Sequence, residues 1–177
     1  RRVLILSLVM IVTALIIGVT AIYLLYAAAI EGQHTRLIEI AQSRARMIEA
    51  VTRFDQKYSR DYPGGSLAAT VSQIVDAHEK FKGFGETGEF SLARRAGDQI
   101  VFLLGHRHFD LNEPLPLPLD DRRVEPMRRA LSGQSGTVVA LDYRNTMVLA
   151  AYEPVAVLNL GVVAKIDLSE VRAPFVR

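Results

Sequence analysis

The chain is 177 residues long, with a formal net charge of +2 and half of its residues hydrophobic. It has no cysteine, which excludes thiolate metal sites, a Cys nucleophile and disulfide switching. Its 21 Lys and Arg are interspersed with 19 Asp and Glu, a pattern that argues against a nucleic-acid surface.

Residues 3–30 carry no charge, and Arg1 and Arg2 stand just before them. A helix needs roughly 20 apolar residues to cross a hydrocarbon core of about 30 Å, so this run is long enough to span with some tilt. A secretory signal has a shorter apolar core, about 7–15 residues, followed by a small-residue cleavage site. Ala27, Ala28 and Ala29 offer such a site, but the length favours a retained transmembrane helix over residues 1–30. The positive-inside rule puts Arg1 and Arg2 in the cytoplasm. The expected location is therefore a bacterial inner membrane, with a soluble domain over residues 31–177 in the periplasm. The chain opens on Arg rather than Met, which points to residues upstream.

The helical pattern continues without a break. Leu37, Ile40, Ala41, Ala45, Ile48, Val51, Phe54 and Tyr58 recur at three and four, making one apolar face of a long helix over residues 31–60. Asp61, Tyr62, Pro63, Gly64 and Gly65 stop it. Ser66 is the expected cap of a second helix over residues 67–81. The pattern then turns to strands. Residues 89–95 and 99–104 form a hairpin around Gly97. Residues 106–121 form a long Pro-rich loop, of a length usually reserved for function. A short helix covers residues 126–131, with Gly133 past its end. Strands follow at 137–143, 146–155 and 160–167, the first two joined by a two-residue turn at Arg144 and Asn145. Ser169 caps a last short helix. The fold class is α+β: a transmembrane helix continuing into a long helix packed on a five-stranded antiparallel sheet, with a core over residues 66–168.

Several stretches carry a resemblance. They are EPMRRALSGQSGT at residues 125–137, LDYR at 141–144, VLAAYEPV at 148–155 and LGVVAKID at 160–167. FGETGE at residues 84–89 matches the start of the first strand. Together they resemble the extracytoplasmic single Cache (PDC, PAS-like) sensor domain of bacterial transmembrane receptors. The resemblance implies a domain set between two membrane helices and coupled to a cytoplasmic histidine kinase, diguanylate cyclase or chemotaxis module. Neither a second span nor an output module is in the sequence, so the kind of output is not legible in it.

Candidate site residues follow from their chemistry. His106, Arg107 and His108 are the densest cluster of hydrogen-bonding side chains, at the start of the long loop. An Arg suits bidentate contact with a carboxylate, and a His or Tyr suits its orientation. With the two-residue turn, Tyr143 faces Thr146, Leu141 faces Val148, Val139 faces Ala150 and Thr137 faces Tyr152. That face, with its two phenols, is the expected pocket floor. Arg123 beside the short helix and Lys165 on the last strand complete the ligand-binding set. Each has an ordinary alternative: a solvated loop start, strand tyrosines favoured by propensity, a solvated helix face, and a lysine paired with an acid at the strand end. Two His at i, i+2 without a third ligand make a weak zinc motif, so neither metal nor cofactor is expected. No nucleophile elbow, P-loop or zinc-helix motif is present, and no catalytic residue is assigned.

The expected function is extracytoplasmic ligand sensing for a membrane-bound signal-transduction receptor, foremost a sensor histidine kinase. The expected partners are a small organic anion or amino acid, the membrane, and a second copy; the stripe of the long helix serves as the seam to that copy, as the face buried on its own sheet, or as both. The alternatives are a cyclase or chemotaxis receptor, or a ligand-free dimerisation or docking module. A filled sheet face would favour the last of these.

Overall fold

In the computed structural model, residues 1–79, 83–104 and 116–176 are described. One helix, α1 (Arg2–Tyr58), dominates them. Its first part is exposed and apolar, long enough by composition to cross a membrane. Its second part buries Leu37, Ala41, Ala45 and Ile48, spaced at four, four and three. Gly32 lies inside the helix and does not interrupt it. The apolar segment and the long helix are therefore one continuous element.

α1 lies against a single antiparallel sheet. Its strands are β1 (Glu89–Ala96), β2 (Gln99–Phe102), β3 (Leu117–Pro118), β4 (Gly136–Leu141), β5 (Met147–Val155) and β6 (Leu160–Asp167). Their order is β3-β2-β1-β6-β5-β4. The sheet has six strands where the sequence pattern predicts five. The extra one, β3, is a two-residue strand inside the expected loop, pairing Leu117 with Ile100 and Pro118 with Gln99. Proline lacks a ladder N–H and is tolerated in a sheet at an edge, which is where β3 lies.

The strand period of two separates two cores. Phe90, Leu92, Leu149, Ala151, Val162, Ala164 and Ile166 meet α1. Ala93, Val148, Ala150, Tyr152 and Val163 meet Met127 and Ala130 of α3 (Glu125–Leu131) on the opposite face. A second helix, α2 (Gly65–Glu79), packs beside the far end of α1. There the apolar stripe leaves the core: Phe54 and Tyr58 are exposed, and Asp55 is buried in their place. Its carboxylate accepts hydrogen bonds from Ser59, Thr70 and Gln73, which tie the two helices together. The last helix, α4 (Leu168–Val176), follows β6 directly. It runs back along α1 until the Phe175 ring meets Tyr26 edge-on at 5.3 Å.

The β4–β5 hairpin differs from the two-residue turn. The Asp142 N–H donates to the Thr146 carbonyl at 2.9 Å, and the Asn145 N–H to the Asp142 carbonyl at 2.8 Å, leaving Tyr143, Arg144 and Asn145 as the loop. Asn145 takes a left-handed φ of 62°. The pairing becomes Ala140 with Val148, Val138 with Ala150 and Gly136 with Tyr152. A one-residue slip turns a whole strand over. β5 keeps the faces expected of it, but β4 is inverted, so Thr137 points to α1, its hydroxyl 3.3 Å from His34 Nδ1.

Gly161 sets how closely α3 approaches the sheet. A Cβ there would lie 2.7 Å from Met127 Sδ and 3.0 Å from Ala130 Cβ. Gly161→Val is expected to lower stability by about 1–3 kcal/mol through overpacking. The measurement is the urea midpoint at unchanged slope. An unshifted midpoint would contradict this contact.

Candidate functional site

The polar residues that strands carry into the protein converge at one end of the sheet. Glu89 opens β1, directly opposite Lys165 of β6 in the ladder. Lys165 Nζ lies 2.7 Å from Glu89 Oε1 and 2.9 Å from Asp142 Oδ2, at the foot of the β4–β5 loop. The Tyr143 ring covers the same ammonium, its centroid 4.0 Å from Nζ. The Tyr143 hydroxyl donates to Glu89 Oε2 at 3.2 Å. Arg144 extends the chain: its Nε donates to Asp142 Oδ2 at 2.8 Å, and its far nitrogen pairs with Asp167. Three carboxylates thus share two cations. Lys165 and Asp142 are 5% and 3% exposed, so this is an interior cluster.

The hairpin loop is built to hold it. Asp142 Oδ1 accepts from the N–H groups of Arg144 and Thr146 at 2.9 and 3.1 Å, an Asx arrangement that fixes the loop and aims the other oxygen at Lys165. Burial pulls the Asp142 pKa up, but the charge of Lys165 and hydrogen bonds from Lys165, Arg144 and Thr146 outweigh it. They hold the carboxyl below its ordinary 3.8. Burial and then the neighbouring Glu89 push the Tyr143 phenol well above its usual range, so it remains a protonated donor.

Above the cluster is a cavity of about 20 Å³, lined by Ser91, Phe102, Arg123, Met127, Tyr143 and Lys165, among others. That is room for about one water molecule; ligand pockets run to about 300–1,000 Å³. The structure thus brings together three of the predicted residues, Arg123, Tyr143 and Lys165, around a space too small for an organic anion or amino acid. Arg123 is turned to Asp121, with Nη2 to Oδ2 at 2.6 Å. Tyr152 is not among the lining residues. It is buried under α3 with its hydroxyl 3.4 Å from Arg129 Nη1, and Arg129 pairs in turn with Glu125. His106, Arg107 and His108 lie outside the described residues.

Sequence reasoning missed Glu89, Asp142, Arg144 and Asp167. A signal for one of them was present: Gly161, Val163, Lys165 and Asp167 share one strand phase, so Asp167 was placed on the same inward face as Lys165. Chemically, two carboxylates and an aromatic face around a single Nζ form a site for a primary ammonium. The chain's own Lys165 occupies it.

No family model and no curated protein matches the chain. A solved structure does: the "extracellular domain of the putative histidine kinase mmHK1S-Z2", at 21% identity and a TM-score of 0.41. The match covers 57% of this chain and 38% of that one, so the likeness is to a minor part of the other protein. The long helix and six-stranded antiparallel sheet of this chain make an α+β fold.

Lys165→Met leaves Glu89 and Asp142 buried without their ammonium, a change expected to cost about 3–5 kcal/mol at neutral pH. Asp142 has a lowered folded pKa. Its stabilisation is therefore complete above the unfolded value near 3.8 and is lost as pH falls through the folded one. The gap between wild type and variant in denaturant titrations should narrow as the pH drops below about 4. A gap that stays constant from neutral to acid would sink the assignment.

Proposed function

We propose that the chain is the extracytoplasmic sensor part of a membrane-bound signal-transduction receptor, most specifically a sensor histidine kinase. One observation carries this reading. α1 runs unbroken from an exposed apolar segment into the core of the sheet. A shift of the sheet relative to α1 would be a shift relative to the membrane. α4 supports it, since it leaves β6 and returns to Tyr26 of α1. Both ends of the domain then act at the membrane side, where α4 would lead to a second span. The soluble part would lie in the periplasm and the receptor would work as a dimer.

The expected small-molecule ligand needs a change of occupant. Lys165 fills the ammonium position, so a ligand would enter by displacing it. The cluster holds one more carboxylate than cations, which favours an amino acid or amine over an organic anion. The cavity of about 20 Å³ favours the second reading, a docking or dimerisation module that binds no small molecule.

Alkaline phosphatase fused after Arg177 should be active in a Gram-negative host, and a cytoplasmic reporter at the same place inactive; the reverse pattern would overturn the topology. Amines and amino acids screened against the chain in detergent should raise its melting temperature by linkage, by about 2.7 kcal/mol at a hundredfold excess over Kd. If none does so while the fusion is active, the ligand-free module replaces the ligand sensor.

A further inference from the structure

A second cavity lies where the domain meets the apolar part of α1. Its volume is about 320 Å³, and it is lined by Tyr23, Tyr26, Ala27, Ile30 and His34 of α1, Val139 and Leu149 of the sheet, and Leu168 and Arg172 of α4. That volume falls within the range of ligand pockets. The wall is apolar apart from the two phenols, His34 and Arg172.

The height of this cavity is set by helix geometry. At 1.5 Å per residue, about 20 residues cover a 30 Å hydrocarbon core. A span that begins at Val3 therefore ends close to Ile22. Tyr23 and Tyr26 come next, at the level where amphipathic rings gather in membrane proteins. Phe175 lies against Tyr26, so Arg172, one helical turn earlier on the returning α4, stands about one turn further from the membrane. The cavity opens at the headgroup level, with a cation above and apolar walls beside.

Arg172 is exposed and makes no ion pair or hydrogen bond among the described residues. Three arginines that flank the sheet's other face are committed instead: Arg123 to Asp121, Arg129 to Glu125 and Arg144 to Asp142 and Asp167. His34 is half-buried at the upper end, in contact with the Thr137 hydroxyl.

We propose that this cavity holds an anionic phospholipid of the surrounding bilayer. Its phosphate pairs with Arg172, its headgroup reaches towards His34, and its acyl chains descend past Ala27 and Tyr23 along α1. Charge complementarity and continuity with the exposed apolar surface of α1 select this occupant. The site makes α4 responsive to the lipid beside it, because Arg172 and Leu168 both belong to that helix. The inference rests on the reading that α1 crosses a bilayer.

The test uses the whole chain in nanodiscs of equal phosphatidylglycerol and phosphatidylcholine. Lipid retained after mild delipidation is counted by native mass spectrometry, and a photoactivatable phosphatidylglycerol maps the contact. Phosphatidylglycerol should be retained about fivefold over phosphatidylcholine, the effect of one arginine near an anionic surface. Crosslinks should fall on peptides carrying Ala27, Ile30 and Leu168. Arg172→Gln should remove the preference, and Ala27→Trp should remove the crosslinks by filling the cavity. Both variants should keep the wild-type circular dichroism spectrum. Incorporation without headgroup preference, crosslinks elsewhere, or a second copy seated on this face would overturn the lipid site alone. Failure of the chain to enter nanodiscs would overturn the spanning reading, and the lipid site with it.

Discussion

Everything in this molecule depends on how α1 lies on the sheet. Leu37, Ala41, Ala45 and Ile48 are buried where α1 packs on β5 and β6, two adjacent inner strands of the sheet. Two of those four are alanines, whose small side chains let the helix approach while longer residues from the sheet fill the space around it. These side chains are at most 4% exposed, and packed interfaces move between discrete arrangements rather than deforming continuously. Because the same helix carries the apolar segment, no joint separates that contact from the apolar segment. A flexible linker at Gly32 would have uncoupled the two. Instead Gly32 is spanned by the helix, at a cost in propensity of about 1 kcal/mol.

The opposite face answers a different constraint. The sheet is covered there by the short α3 and by an ion cluster in which Glu89, Asp142 and Asp167 share Lys165 and Arg144. Burying charges is expensive, and an interior ion pair seldom adds stability over apolar residues of equal volume. Its contribution here is positional. Glu89 belongs to β1, Lys165 and Asp167 to β6, and Asp142 and Arg144 to the β4–β5 loop, so the cluster joins three segments that hydrophobic packing alone would hold less specifically. A cage around a lysine is also a chemically defined place: what binds there must bring an ammonium or displace one.

The fold was legible where one periodicity ruled a segment. α1, the β1–β2 hairpin, β5 and β6 all follow from apolar spacing, and the inward phase of Lys165 was readable from its neighbours on β6. The β4 faces were not, because Asn145 fits a two-residue or a three-residue loop equally well. The side chain of Asp142, bonding to Arg144 and Thr146, decides between them. β3 escaped notice because Leu117 and Pro118 lack any strand pattern of their own and pair only through β2. The site was half visible. Tyr143 and Lys165 were named, but their partner Glu89 depends on β1 lying beside β6 and Asp142 on β5 lying beside β6, long-range pairings that no local pattern reports. Phe54 and Tyr58 looked like core and are exposed, because helical periodicity does not show where the sheet beneath a helix ends.

The cage and α4 are closer than the two-faced architecture suggests. Asp167 holds Arg144 of the cluster with its side chain, and its N–H donates to Thr87 Oγ1 at 3.0 Å. The Thr87 hydroxyl donates in turn to Glu170 of α4 at 2.5 Å, and the Thr87 N–H reaches the same carboxylate at 2.7 Å. α4 begins at the next residue, Leu168, which belongs to the wall facing α1. A continuous set of ion pairs and hydrogen bonds therefore runs from Lys165 to the helix that lies beside Tyr26. Continuity of contact is not by itself coupling, which requires an element with two arrangements that both sites bias. α4 has the features of such an element. It is short and held at its start by Glu170, and at its far end it meets α1 only through Phe175 on Tyr26 among the ring contacts described. Occupancy of the cage would act on the start of α4, and the bilayer would act on its end. Signals from solvent and from lipid would then converge on the same nine residues.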